Sequence, residues 1–323
     1  STIVAAGALT TVDLSGNAAA NHVAVTATGA VITSATLSGD QTIELEVSGA
    51  DHDTALSALT VTDSTTAGTT TVNFSATSAT DLNTTAVGSD VIQLSADFNT
   101  ETVTFGTGQS FLISASQGVA GGGFNMTSAL ATASTNTLNI TIDDDSAATT
   151  TAQTIELDAL AVTNTKTTTI TSSLDNLLLD TSISVGAAND LVFDLAGTLT
   201  NGTGETITAN SLDASASAGA ATLFLSGGVG TVKTGAGADN VTIEGAATGG
   251  TTVELGAGDD TLNSIDESIT VDGGDGVDTV AFAISADLSG QTFDLTNVEV
   301  VDIDSATASN NTLTVDSSQV TGD

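Results

Sequence analysis

Three features of the sequence together predict an all-β chain wound as a parallel β-helix, or β-solenoid, with calcium-binding β-roll coils toward its C-terminal end. Runs rich in Thr, Val, Ile and Leu recur along the chain, broken by Gly, Asn, Asp and Ser at intervals of about eight to twelve residues. Proline, tryptophan and tyrosine are all absent from its 323 residues. A glycine and aspartate pattern repeats in the C-terminal third.

The strand signals run in order through VAVTAT (Val23–Thr28), TIELEV (Thr42–Val47), LNITID (Leu138–Asp143), TIELDAL (Thr154–Leu160), ATLFLS (Ala221–Ser226), NVTIEG (Asn240–Gly245) and TTVELG (Thr251–Gly256). Each alternates apolar with polar residues or is rich in β-branched ones, which suits a pleated, half-buried surface. The leucine run Leu174–Leu179 is the one place where a short helix competes, with a strand end as the alternative. Tandem β-sandwich domains would give strands at the same spacing, but they use prolines in turns and a large aromatic anchor. Narrow solenoid coils are filled instead by Val, Ile, Leu, Ala and Phe.

A soft boundary falls at Asn201–Glu205 (NGTGE), after which glycine and aspartate become denser. Residues 1–205 read as a Thr/Ala/Ser-rich β-solenoid, with tandem β units as the alternative. Residues 206–323 read as the calcium-binding part. SLDASASAG (Ser211–Gly219) returns as TVDSSQVTG (Thr314–Gly322), so the chain is expected to continue in a longer parent.

The chemistry-bearing pattern is TGAGADNVT (Thr234–Thr242), LGAGDDTLN (Leu255–Asn263) and GGDGVDTVA (Gly273–Ala281). Each copy follows G-G-x-G-x-D-x-(apolar)-x, the nonapeptide of calcium-binding parallel coils. The paired glycines (Gly235 and Gly237, Gly256 and Gly258, Gly274 and Gly276) let the backbone turn tightly and aim carbonyl oxygens inward. Asp239, Asp260 and Asp278 supply the carboxylates. Val241, Leu262 and Val280 follow as the apolar residues that enter the core. One loop offers too few oxygens for a cation that takes six to eight, so a Ca2+ site needs a second loop stacked on the first. Gly256 and Gly274 lie eighteen residues apart, two nonapeptides, which registers the second loop with the third. Gly235 and Gly256 are twenty-one apart, so that coil carries three extra residues. Thr234 and Leu255 replace the first glycine of the motif, and Gly245–Thr251 and Ser264–Ser268, on the opposite side, carry no nonapeptide. The ladder is therefore expected to be short and one-sided.

Composition narrows the function classes. Asp and Glu number 39 against two lysines, Lys166 and Lys233, and no arginine, for a formal charge of -37. Nucleic acid and anionic membrane surfaces are poor partners for it, since almost nothing in the chain could neutralise their phosphates. No apolar run is long enough to insert in a membrane. Such a chain repels itself unless counterions screen it. With no cysteine there is no disulfide framework.

Other acidic positions have simpler readings. The triplet Asp143, Asp144 and Asp145 reads as a solvated turn, with a cation cap of the coil or a contact with another subunit as the alternative. Asp51, His52 and Asp53 resemble a small metal cluster, but with His22 as the one other imidazole a zinc site lacks ligands. Lyases and epimerases on β-helix scaffolds need Arg, Tyr, Lys or His at the reacting carbon. This chain has no Arg or Tyr, and nothing marks out a catalytic carboxylate pair, so no enzyme is expected.

The order LDASASAGAATLFLSGG, TGAGADNVTI, VELGAGDDTL, VDGGDGVDTV and LTNVEVVDID (Leu295–Asp304) resembles the RTX-repeat surface-layer (S-layer) proteins of Gram-negative bacteria, the Caulobacter type. The likeness covers Ser211–Gly322 and is only stylistic before that. It implies type I secretion, calcium-dependent folding outside the cell, and lateral assembly into a lattice in which calcium also bridges subunits. The chain is accordingly expected to be extracellular, at the cell surface, with copies of itself as partners in a lattice or related filament and cell-surface polysaccharide as a further candidate partner. By motif position the resemblance carries Asp239, Asp260 and Asp278 with their glycines over as calcium ligands. RTX repeats also occur in adhesins and in the secretion modules of enzymes. A biofilm-matrix or adhesin segment and a noncatalytic folding module therefore stay open beside the surface layer.

Overall fold

The computed structural model describes residues 2–5, 11–17, 21–27, 32–39, 42–48, 59–64, 67–75, 81–99, 101–118, 123–129, 135–143, 154–173, 176–179, 182–201, 205–226, 228–244, 250–265, 268–282, 292–302 and 320–321. Over these residues the chain is all-β, without a helix, and its strands stack in parallel as a β-solenoid. It divides into two compact units, Ser1–Thr149 with Ile155–Thr168, and Thr150–Thr154 with Thr169–Asp323.

In the first unit a row of parallel neighbours runs through Thr2–Ala5, Asn21–Ala27, Ile43–Ser48, Thr70–Phe74, Val91–Leu94, Ser110–Ile113 and Thr137–Ile142. A second row joins Thr11–Asn17, Ser34–Gly39 and Thr60–Asp63. A third joins Leu82–Asn83, Thr102–Phe105, Asn125–Ser128 and Ala161–Thr163. Side chains alternate in and out along each strand, as a pleat demands. Val103, Phe105, Phe111, Ile113, Met126, Ile140 and Ile142 fill the interior at 1 % exposure or less. Phe105 meets Phe111 edge-on, with centroids 6.0 Å apart.

Turns in this unit are clasped by buried amides. Gln117, fully buried, accepts the Phe98 N–H at 2.9 Å and donates to the carbonyls of Ala96 and Ala115. Gln109 accepts from Gly106 N–H and the Thr84 hydroxyl and donates to the carbonyls of Thr84 and Val87. Both amide N–H groups and the carbonyl oxygen of each side chain are thereby bonded, which offsets the penalty of burying an amide.

Among the described residues of the second unit the strands form two rows. One runs Asn176–Leu179, Thr198–Asn201, Ala221–Ser226, Asn240–Glu244, Thr261–Ile265, Thr279–Phe282 and Val300–Asp302. The other runs Ile183–Leu195, Ile207–Asp213, Thr231–Lys233, Thr251–Glu254, Ile269–Asp272, Phe293–Thr296 and Val320–Thr321. Leu223, Val241, Leu262 and Val280 stack in register in the first row, each with no exposure. Val232, Val253 and Val271 do the same in the second, at 1 % or less.

The strand signals of the sequence fall on strands, with two differences. Asn176–Leu179, within the leucine run, is a strand paired with Thr198–Asn201 rather than a helix. A parallel ladder between coils outweighs the local helix preference of leucine. The Thr154–Leu160 run stops as a strand at Glu156; Leu157 bridges Gln117, and Ala159 turns the chain with a φ of 47°.

Gln117→Leu keeps the volume but leaves one buried N–H and two carbonyls unpaired, at a cost of about 1–3 kcal/mol for each group that water cannot reach. Urea unfolding should show a lower midpoint for this variant, while Thr127→Ser on the outer face should unfold like the parent.

Candidate metal centre

The three nonapeptide loops stack directly on one another. Ala236 bridges Ala257, and Ala257 bridges Asp275, in parallel. The Ala257 N–H donates to the Gly235 carbonyl at 3.0 Å and the Asp275 N–H to that of Gly256 at 2.9 Å. Gly237 and Gly258 donate likewise to the carbonyls of Ala257 and Asp275, both at 2.8 Å.

Close approach explains the glycines as much as backbone angle does. A Cβ at Gly256 would stand 2.2 Å from the Gly235 carbonyl oxygen, and one at Gly274 1.9 Å from that of Gly256. The fourth motif position repeats this, with 2.1 Å from Gly258 to the Gly237 oxygen and 1.7 Å from Gly276 to that of Gly258. Gly256, Gly258, Gly274 and Gly276 also hold φ between 94° and 149°, where a side chain is strained. Gly235 has no such φ and needs to be glycine for space alone, against the Ser217 carbonyl at 2.1 Å.

Each loop places its aspartate at the start of the following strand, one residue before the outward threonine or asparagine and two before the core residue. Asp239, Asp260 and Asp278 are buried to 2 % exposure or less. Their carboxylates form a relay across the coils. Asp239 N–H donates to Asp260 Oδ1 at 2.7 Å over 21 residues, and Asp260 N–H to Asp278 Oδ1 at 3.0 Å over 18. Above them Ala221 N–H donates to Asp239 Oδ1 at 2.6 Å. Below, Asp278 N–H donates to Glu299 Oε2 at 2.8 Å.

The other oxygen of each aspartate, Oδ2, is buried without a hydrogen-bond partner among the described residues. The Thr234 hydroxyl stands beside Asp239 as well, but gives its single proton to the Leu255 carbonyl at 2.6 Å. Burial pushes the Asp260 carboxyl up from 3.8 to about 6; the Asp239 N–H opposes this, and the neighbouring Asp239, Asp278 and Asp259 add to it. Asp239 is raised by burial against the Ala221 N–H. Asp278 is raised by burial against the Asp260 N–H, with Glu299, Asp259 and Asp272 adding to it. Buried carboxylates with an unused oxygen are what a cation, or a proton, would satisfy.

The sequence-assigned residues thus come together: Gly235, Gly256 and Gly274 in one stack, Gly237, Gly258 and Gly276 in another, and Asp239, Asp260 and Asp278 beside them. The donors are oxygens throughout, the chemistry of a hard cation such as Ca2+. Among the described residues no three His, Cys, Asp or Glu side chains gather as a metal cluster, so a cation here would draw on backbone carbonyls. Thr234 and Leu255, which replace the first motif glycine, are buried at 2 % exposure or less. Their position therefore points into the coil and tolerates a side chain. Gly273 differs because the Asn297 carbonyl lies 1.9 Å from where its Cβ would be.

Glu299 is the residue the sequence reading missed. It carries no glycines before it, yet the spacing from acid to apolar residue, Glu299 to Val301, repeats that of Asp278 to Val280. Of the other acidic groups, Asp143 is exposed and its N–H donates to the Ile113 carbonyl at 3.1 Å. Asp144, Asp145, Asp51, His52 and Asp53, and the His22 side chain, lie outside the described residues, as does most of the second repeat copy, Thr314–Gly322. Lys233 is paired with Glu254 at 2.8 Å. No helix among the described residues is long and apolar enough to cross a membrane. The chain matches no protein-family model, and no curated protein or solved structure matches it.

In the metal-free protein, the raised carboxyl of Asp260 is still protonated where the unfolded chain has ionised. Its stabilising effect is complete below about 3.8 and lost as pH rises through about 6. Thermal melting without divalent cations should therefore fall over that window. Asp260→Asn, which keeps an acceptor for Asp239 N–H and buries no charge, should flatten the dependence and melt higher at neutral pH.

Proposed function

We propose that this chain is a structural, noncatalytic segment of a secreted β-solenoid that binds Ca2+ and assembles with copies of itself into a cell-surface layer. The observation that carries the calcium reading is the column of three buried aspartates, each with one oxygen unpaired, beside stacked glycine loops. Gly235, Gly237, Asp239, Gly256, Gly258, Asp260, Gly274, Gly276 and Asp278 would hold the ions. Bound calcium would supply positive charge that neutralises the carboxylates and ties adjacent coils together. With two lysines in the whole chain, the protein has little cationic charge of its own for this purpose.

Support for lateral assembly comes from the resemblance to RTX surface-layer proteins and from the charge of -37, which keeps copies apart until cations screen it. An adhesin that takes a cell-surface polysaccharide is the second reading. It is favoured by exposed hydroxyl pairs between coils, Thr127 with Thr163 at 2.9 Å and Ser34 with Thr11 at 3.1 Å.

Titration of the purified chain with calcium, followed by circular dichroism and light scattering together, separates these readings. Surface-layer assembly predicts a gain of β signal or melting temperature with growing particles. A gain without particles, together with glycan binding, would favour the adhesin. No response in either channel would remove calcium from the account. Asp260→Ala should weaken calcium binding most, because its carboxylate stands between the other two.

A further inference from the structure

The relay of backbone N–H to carboxylate runs one coil beyond the last glycine loop. Thr279 is in register with Val300 and Val280 with Val301, which sets Glu299 opposite Asp278. The bonding repeats that of the coils above: Val300 N–H donates to the Asp278 carbonyl at 2.9 Å, as Thr279 does to Asp260 at 2.9 Å and Thr261 to Asp239 at 2.8 Å. Glu299 Oε2 receives the Asp278 N–H as Asp278 Oδ1 receives that of Asp260.

The turn leading to Glu299 is shorter than a glycine loop and is closed by Asn297 at a φ of 52°. It seats the Asn297 carbonyl oxygen 1.9 Å from the point that a Cβ of Gly273 would fill, and Asp278 Oδ2 lies 2.6 Å from that same point. Asp278 is fully buried, and this oxygen has no partner among the described residues. Two acceptor oxygens from adjacent coils therefore border the space left by a missing side chain, and the Glu299 carboxylate lies on the same rung. Lys233, the one basic residue of the second unit, is engaged by Glu254.

We propose that Glu299 completes a further divalent-cation site, of the oxygen-liganded calcium class, between the Gly273–Asp278 loop and the turn at Thr296–Glu299. The Asp278 carboxylate, the Asn297 carbonyl and the Glu299 carboxylate are its protein ligands, and water completes the shell because Glu299 is exposed. The site deepens the calcium reading above and rests on it. It makes the number of ions one greater than the glycine loops alone provide.

Equilibrium dialysis of the whole chain against calcium chloride near neutral pH, with circular dichroism as a check on folding, tests it. Glu299→Gln retains an acceptor for the Asp278 N–H but not the charge. The expected result is one bound ion fewer in Glu299→Gln, with the remaining ions bound within about twofold of the parent affinity, and a further loss when Asp260→Asn is added. Unchanged stoichiometry in Glu299→Gln alongside a reduced one in Asp260→Asn would overturn the site and leave the loop ions standing. A parent chain that binds no calcium would overturn both.

Discussion

The C-terminal coils depend on a single repeated bond, in which the backbone N–H at the start of one strand is received by a carboxylate from the next coil. At this position a plain parallel ladder would leave the donor facing the turn, where no strand carbonyl reaches it. The aspartate fills that gap, and filling it requires the carboxylate to be buried. Burial of charge then follows as a consequence of closing the backbone, and it repeats at each coil through Asp239, Asp260 and Asp278. The raised affinity of these carboxyls for a proton and their suitability for a cation have this common origin.

The same bond organises the glycines. For the carboxylate of one coil to reach the N–H of its neighbour, the loops must approach until the carbonyl oxygens of one coil take the space that a Cβ of the next coil would fill, and only glycine leaves room. The core residues contribute the complementary constraint. Leu223, Val241, Leu262 and Val280 hold the strands in register, so that loops of unequal coil length, 21 and 18 residues, still superpose at the aspartate.

Much of this was legible in the sequence because it is local. The alternation of Thr and Val marks strands, and Gly-x-Gly-x-Asp marks a turn with a carboxylate at a fixed offset from a core residue. What the sequence concealed lies between coils. Glu299 has no glycine to announce it and takes its place through strand register alone. Gln109 and Gln117 look like ordinary surface amides, yet each closes a buried turn through partners some twenty residues away, such as Thr84 at 25 and Phe98 at 19. Asn201, buried on the strand Thr198–Asn201, likewise holds both the N–H and the carbonyl of Phe224. The leucines of Asn176–Leu179 favour a helix by propensity and become a strand because a parallel neighbour accepts them.

The carboxylate relay also has a direction. Every bond runs from an N–H in an earlier coil to an acid in a later one, and the carbonyls of Asp239, Asp260 and Asp278 likewise wait for donors from the following strand. A coil is therefore finished by residues that come after it in the chain. Cutting such a ladder from its C-terminal side removes the carboxylate that receives an aspartate N–H, whereas cutting it from the N-terminal side frees a carboxylate together with the N–H that follows it, as with Asp260 and Thr261. The two ends of the stack are chemically unlike, and growth of the fold is complete only one coil behind the most recently added one.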